Sequence, residues 1–151
     1  MSAQIIEAAF GRKFSESFVH SAMISLNGEK MSKSKGNLVF VSKLVETGVD
    51  PMILRWALLR GHYQQERAWS TQLLNESSIE VNFIRSALAQ SEVAETKDVI
   101  NCLIKDLSNN LDTPTALERL ITWANSSKSN PSVNQSGSMA RAIDSLLGLA
   151  L

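Results

Sequence analysis

The sequence predicts a mainly α-helical fold, in which one short strand and an exposed lysine-rich loop precede a helical bundle. Apolar residues recur at helical spacing along most of the chain after residue 41, which is typical of helices that bury one face. A capping residue stands directly before a proline at Asp50-Pro51 and at Thr113-Pro114, and this pairing marks a helix start. Only residues 18–26 are strand-like, and the Asn27-Gly28 pair behind them indicates a tight turn.

The remaining elements are delimited by glycines and by polar segments. Gly11 is expected to end a helix over residues 2–10, and Gly48 one over residues 42–47. Further helices are predicted over residues 51–61, 70–88, 99–111, 114–124 and 139–150. We expect residues 1–41 to be the end of one domain and residues 42–151 to be the bundle. A linker rich in Ser, Asn, Gly and Pro is predicted at about residues 125–138.

Composition narrows the function classes. The 151 residues carry fifteen basic and fifteen acidic side chains, so no overall field attracts nucleic acid or an anionic membrane. Cys102 is the single cysteine, which excludes an internal disulfide and favours a reducing cytoplasm. No apolar run approaches the ~20 residues of a membrane span, and the amino terminus lacks the basic start of a signal peptide. We therefore predict a cytoplasmic protein with no membrane partner.

The segment with chemical content is the loop over residues 28–37. Lys30, Lys33 and Lys35 fall within six residues, separated by Ser32 and Ser34 and followed by glycine. An anion would relieve the repulsion among the lysines, and hydroxyls and backbone N–H groups can complete a phosphate cradle. The order of residues is not that of a Walker loop. Composition alone leaves open the commoner alternative, a solvated surface loop.

The order of residues in the loop adds a family resemblance. Residues 30–34 read Lys-Met-Ser-Lys-Ser, the second signature of class I aminoacyl-tRNA synthetases, and residues 35–37 resemble its usual extension. The resemblance implies the end of a Rossmann-type catalytic domain whose loop closes over ATP. Lys33 would stabilise charge on the pyrophosphate, with Lys30 as its supporting partner. The resemblance also implies a set of nucleotide-binding residues. Ile24, or else Met23, would lie beside adenine, and the loop would contribute Met31, Ser32, Ser34 and Gly36.

Nearly the whole chain is similar to the cysteine-specific branch of these enzymes. Residues 18–24, 50–55, 61–63 and 111–117 carry this resemblance. Three further stretches are similar to the ligases of mycothiol biosynthesis, which join cysteine to glucosaminyl-inositol: residues 38–42, the helix start at Trp69-Ser70, and residues 144–148. The resemblance implies that ATP activates L-cysteine as cysteinyl-adenylate, which then acylates the amine of the sugar.

Two other interpretations remain open at this stage. The chain could be the carboxy-terminal part of a cysteinyl-tRNA synthetase, with tRNA as the acceptor. Those enzymes continue into an anticodon-binding portion, whereas this chain stops at Leu151, so we expect a natural terminus and favour the ligase. The second alternative is a non-catalytic helical interaction module that keeps the loop as a phosphate binder.

The family pattern is incomplete at the amino-terminal end. The first signature with two histidines is missing, and so are the cysteine and histidine ligands of the family's zinc site, while His20 and His62 are not a catalytic pair by spacing. In the family the zinc-ligand histidine lies just upstream of the point where this chain begins. We therefore expect no metal site here, a missing amino-terminal catalytic half as partner, and no adenylate formation by the chain alone.

Overall fold

The computed structural model describes residues 2–132 and 135–151. Within them the helices are α1 (Ser2–Phe10), α2 (Val41–Glu46), α3 (Pro51–Leu59), α4 (Thr71–Leu88), α5 (Lys97–Ser108), α6 (Thr113–Ser129) and α7 (Gly137–Leu147). The strands are β1 (Ile24–Leu26), β2 (Glu29–Lys30) and β3 (Arg67–Trp69). The prediction of a mainly helical chain is confirmed. None of the described helices combines the length and the apolar character needed to cross a membrane.

The strands form one small sheet in the order β2-β1-β3. β1 and β2 make an antiparallel hairpin whose turn residues, Asn27 and Gly28, have φ angles of 52° and 81°. Both angles are left-handed, as a two-residue type I′ turn requires, so the turn prediction is confirmed. β3 pairs in parallel with β1, with Ile24 opposite Arg67. The expectation of a single strand-like region over residues 18–26 was wrong. Only Ile24–Leu26 of that region form a strand, and β2 and β3 are too short to show an alternating pattern.

The apolar core lies entirely within the helical part of the chain. Its members fall between Ile53 in α3 and Leu149 behind α7, and α1 adds none of them. The largest fully buried apolar side chains are Trp56, Val81, Ile84, Val93, Leu103, Leu120, Trp123, Met139, Ile143 and Leu149. Each buried side chain of this size stabilises the fold by roughly 1.5–3 kcal/mol relative to exposure. The bundle is thus a packed scaffold. It is joined to the sheet through β3, which lies between α3 and α4 in the chain and pairs with β1.

Helix caps fix where two of the elements next to the sheet begin. The Asp50 carboxylate accepts a hydrogen bond of 2.7 Å from the Met52 N–H, and the Ser70 hydroxyl accepts one of 3.1 Å from the Leu73 N–H. The Asp50 cap was predicted, and the predicted helix over residues 70–88 begins at the second cap, Ser70. At the third site the predicted cap was one residue too late, because the Asp112 carboxylate, and not Thr113, reaches the third N–H of α6.

The turn between α5 and α6 departs from the predicted helix over residues 99–111. α5 ends at Ser108, and Asn110 and Leu111 take left-handed φ angles of 55° and 54°. Leu111, the last residue of the predicted helix, therefore lies outside α5 and is 55% exposed. The turn is held by Tyr63, whose hydroxyl donates to Asn110 Oδ1 at 2.7 Å.

The predicted linker at residues 125–138 is shorter in the structure. α6 continues to Ser129, and the polar residues in its last turns remain compatible with a helix because their hydroxyls bond within the protein. Ser126 donates to the Thr122 carbonyl at 3.1 Å, and the buried Ser127 hydroxyl accepts from the Ala94 N–H at 3.0 Å. The linker is thereby reduced to residues 130–136, of which residues 133 and 134 lie outside the described part.

Candidate functional site: the lysine loop

The lysine loop, residues 28–37, includes β2 and lies over a small apolar cavity. The cavity has a volume of about 150 Å³. Its lining comes from β1, the loop and the segment directly behind it, α2, α3 and β3: Ile24, Met31, Val39, Val41, Leu44, Leu54, Leu58 and Trp69. Met31 is half-buried in this lining, whereas its neighbour Lys30 is exposed. Successive residues of an extended segment face opposite sides, so burying Met31 turns the Lys30 side chain outward.

Hydrogen bonds of the loop's own residues give it a closed shape. The Ser32 N–H donates to Asn37 Oδ1 at 2.9 Å, and Asn37 Nδ2 donates to the Lys30 carbonyl at 3.2 Å. Between these points the Gly36 N–H donates to the Lys33 carbonyl at 3.2 Å, and Gly36 has a φ of 65°. A left-handed angle of this kind favours glycine. The segment from Lys33 to Gly36 is therefore a tight turn whose two sides are bridged by one side chain.

The two serines of the loop lie side by side. Ser32 Oγ accepts from the Lys35 N–H at 3.3 Å and lies 3.2 Å from Ser34 Oγ. Ser34 is exposed and Ser32 is half-buried. Hydroxyl groups rotate to donate or accept, so this pair can offer donors to an anion above the turn.

The three lysines differ in their electrostatic partners. Lys35 Nζ lies 3.2 Å from Glu29 Oε2, so its charge is balanced by an acid at the other end of the loop. Lys30 and Lys33 are exposed, and within residues 2–132 and 135–151 neither forms an ion pair. The loop thus presents two uncompensated positive charges beside the hydroxyl pair, and these are the two lysines of the predicted motif.

β3 is tied to the end of α3 by an arginine. Arg67 Nη1 donates to the Gly61 carbonyl at 3.2 Å and to the His62 carbonyl at 2.9 Å, and burial lowers the pKa of its guanidinium. A cation at this end of a helix is favoured by the helix dipole. Gly61 is needed here, since a Cβ would stand 2.4 Å from Arg67 Cδ. His62 bonds the Asn110 carbonyl at 3.0 Å, which supports its interpretation as a structural residue.

The residues present do not fit a zinc site. Among the described residues no three His, Cys, Asp or Glu side chains are grouped closely enough to hold a metal ion. Cys102 is half-buried and lines a separate cleft of about 570 Å³ between α5 and α6, together with Trp123 and Arg119. No step of the function proposed below passes through a metal.

Sequence reasoning missed two residues of the site. Asn37 was recognised only as part of the motif's extension, and its bridging role depends on the fold of the turn. Trp69 reaches the cavity because β3 pairs with β1, a contact across more than forty residues that no local pattern reveals. The predicted site residues from Ile24 to Gly36 do come together in one hairpin and loop.

Known proteins with similar sequences extend the resemblance over the whole chain. The family described as tRNA synthetases class I (C) catalytic domain matches residues 2–79. A Rhodococcus erythropolis protein named L-cysteine:1D-myo-inositol 2-amino-2-deoxy-alpha-D-glucopyranoside ligase is 45% identical over 99% of this chain. Proteins of the same name from Tsukamurella paurometabola and Streptomyces avermitilis are 42% and 38% identical, over 99% and 100% of the chain.

The matches cover nearly all of this chain but only part of each relative. The chain spans only 37% of the length of the Rhodococcus relative and 38% of the Streptomyces one. The family match covers just over half of the chain, and it includes the sheet, the lysine loop and the first half of α4. The predicted resemblance is therefore confirmed, and the protein belongs to the family of class I (C) tRNA synthetase catalytic domains.

Proposed function

We propose that the chain is the carboxy-terminal part of a ligase that activates L-cysteine with ATP and joins it to the amine of glucosaminyl-inositol. The observation that carries the proposal is the pair of uncompensated charges on Lys30 and Lys33, in a chain that is 38–45% identical to ligases of that name. Lys35, which has the same charge and lies in the same loop, is already paired with Glu29. The loop therefore distinguishes the lysines of the motif from the third.

In the proposed reaction an oxygen of the cysteine carboxylate attacks the α-phosphorus of ATP. The bond from that phosphorus to the bridging oxygen breaks, and pyrophosphate leaves with the electron pair. Catalysis of such an in-line displacement consists mainly of positioning and of neutralising charge that develops on the leaving group. Lys33 supplies this charge, and Lys30 supports it. A loop that closes late places the charge where it favours the transition state over bound ATP.

The second half-reaction transfers the activated group. The neutral amine of the sugar attacks the carbonyl carbon of cysteinyl-adenylate and an amide bond forms. AMP leaves as the carbon–oxygen bond breaks, and the amine nitrogen releases one proton to solvent. This step needs no further ATP. The proposal assigns no residue of the chain to it.

The nucleotide contacts are proposed at the level of single residues. The hydroxyls of Ser32 and Ser34 serve as phosphate donors. Gly36, whose N–H is bonded to the Lys33 carbonyl, contributes to the nucleotide site by forming the turn that carries them. Ile24 and Met31 have their side chains in the apolar cavity, so we assign them to the nucleotide site through their backbone and through support of the loop. On this view residues 1–41 are the end of a Rossmann-type catalytic domain, and residues 42–151 are the bundle behind it.

The partner that completes the site is an amino-terminal catalytic half, which in the family carries the first signature and the zinc ligands. Large apolar side chains ahead of β1 are exposed in this chain and are absent from its core: Ile5, Phe10, Phe14, Phe18, Val19 and Met23. We infer that this surface packs against the missing half, in a cytoplasmic enzyme. The chain alone should then form no adenylate.

The experiment uses a completed enzyme, defined here as this chain joined to the amino-terminal portion of the Rhodococcus erythropolis relative. We expect it to show cysteine-dependent exchange between ATP and pyrophosphate, and to form an amide with glucosaminyl-inositol. The family description favours one rival acceptor, tRNA. Cysteine transfer to tRNA but not to the sugar amine would replace the proposal with a cysteinyl-tRNA synthetase. Phosphate binding without exchange would favour a non-catalytic module.

A further inference from the structure

Asn37 is the residue whose side chain closes the lysine loop. Its amide makes two hydrogen bonds of opposite sense, accepting from the Ser32 N–H at 2.9 Å and donating to the Lys30 carbonyl at 3.2 Å. The two bonded residues flank Met31, which is anchored in the apolar cavity. A single side chain thus holds the backbone on both sides of the loop's anchor point.

The geometry of the bridge links the two lysines of the motif. Lys30 belongs to β2 and is one of the bridged residues, whereas Lys33 begins the tight turn that ends at Gly36, directly before Asn37. Among the described residues, the other side-chain contact between the turn and the hairpin is the exposed Lys35–Glu29 pair. Exposed ion pairs contribute little to fixed geometry. The amide bonds are therefore the main constraint on where Lys33 stands relative to Lys30.

We propose that Asn37 is a positioning residue, whose side-chain amide sets the separation of Lys30 and Lys33 so that both charges meet the same phosphate chain. The inference rests on the function proposed above. Asn37 itself touches no reacting atom in this scheme and acts only through the lysines. Asparagine suits the position because one planar group supplies both the acceptor and the donor, which neither aspartate nor serine does in the same geometry.

The bridge can be tested first in the chain as it stands. We expect Asn37→Ala to accelerate hydrogen exchange of the Ser32 amide by roughly two- to tenfold, the range set by one net hydrogen bond, without lowering the melting temperature. Asn82→Ala, at an exposed asparagine of α4, is the matched control and should leave that amide unchanged. Unchanged exchange at Ser32 in the Asn37 variant would overturn the bridge.

The catalytic consequence is tested in the completed enzyme by a double-mutant cycle with Lys33. We expect Asn37→Ala to lower the exchange rate by about 10- to 100-fold per active site, the cost of a small misplacement, with the KM for cysteine unchanged. In a Lys33→Ala background the same substitution should change the rate less than twofold, because its effect passes through the lysine. Equal losses in both backgrounds would show a merely structural role and overturn the inference. Loss with Asn37→Ala but none with Lys33→Ala would contradict the proposed function itself.

Discussion

Arg85 Nη2 lies 2.7 Å from Asp50 Oδ2, which pairs the last turn of α4 with the N-cap of α3. Burial on its own would raise the pKa of the Asp50 carboxyl. The hydrogen bond from the Met52 N–H and the pairing with Arg85 outweigh it, so that the pKa lies below the usual value of 3.8. The ionised form is therefore favoured by folding.

This shift predicts how stability depends on pH. A depressed folded-state pKa contributes stability above pH 3.8, and that contribution is lost as the pH falls through the folded-state value. Asp50→Asn keeps a side chain that can cap α3 but removes the charge, so it should be less stable than the parent at pH 7, and the difference should shrink when the pH is lowered from 7 to 3. Urea unfolding at both pH values measures this. A difference that stays constant with pH would contradict the assignment.

Two isoleucines of α4 provide a matched pair for the core. Ile84 is fully buried in the bundle, whereas Ile79 is 71% exposed. Ile84→Ala should lower the free energy of unfolding by about 2–5 kcal/mol, because it removes buried apolar surface and leaves a cavity. Ile79→Ala should change it by about 0.5 kcal/mol or less. Denaturant titration of the two variants measures this difference in the free energy of unfolding. Similar losses from both variants would contradict the burial of Ile84 in the core of the bundle.

Gly148 ends α7 beside Arg55. Its φ is 64°, and an added Cβ would stand 2.8 Å from Arg55 Nη2, while Arg55 Nε donates to the Leu147 carbonyl at 2.6 Å. Gly148→Ala should therefore lower the free energy of unfolding by about 1–2 kcal/mol because of the left-handed backbone. Displacement of Arg55 should add a further loss.

A second glycine separates these two contributions. Gly48 also has a left-handed φ, of 90°, but its Cβ position is open. Gly48→Ala should show the backbone cost alone in thermal unfolding, and Gly148→Ala in an Arg55→Ala background should approach that value. If Gly148→Ala lowers the free energy of unfolding equally with and without Arg55, contact with the arginine does not contribute to the requirement for glycine at position 148.

Local chemistry explains which parts of the fold were predictable. The Asp50 and Ser70 caps and the Asn27-Gly28 turn depend on residues within three positions of one another, and all three appear where the sequence indicates. β3 was missed because its three residues acquire strand geometry only by pairing with β1. Leu111 was misplaced because the apolar pattern continues past the helix end, while Asn110 and Leu111 turn the chain.

The sequence predicted which residues belong to the candidate site, but not which of them form ion pairs with one another. The motif at residues 30–34 identified the lysines, and a local pattern sufficed for that. The sequence does not show which of the three lysines is paired with an acid, because only the hairpin geometry brings Glu29 to Lys35. Which lysine is neutralised depends on how the turn folds.

In the completed enzyme, the charges of Lys30 and Lys33 are proposed to stabilise the transition state of adenylate formation. We expect the double replacement by alanine to slow cysteine-dependent exchange between ATP and pyrophosphate by at least about 10²- to 10³-fold, as removal of preorganised charge stabilisation does. Lys35→Ala, which removes an equal charge that is already paired with Glu29, should slow it no more than a few-fold. Full exchange speed after both motif lysines are neutralised, in an enzyme whose parent is active, would contradict the central claim.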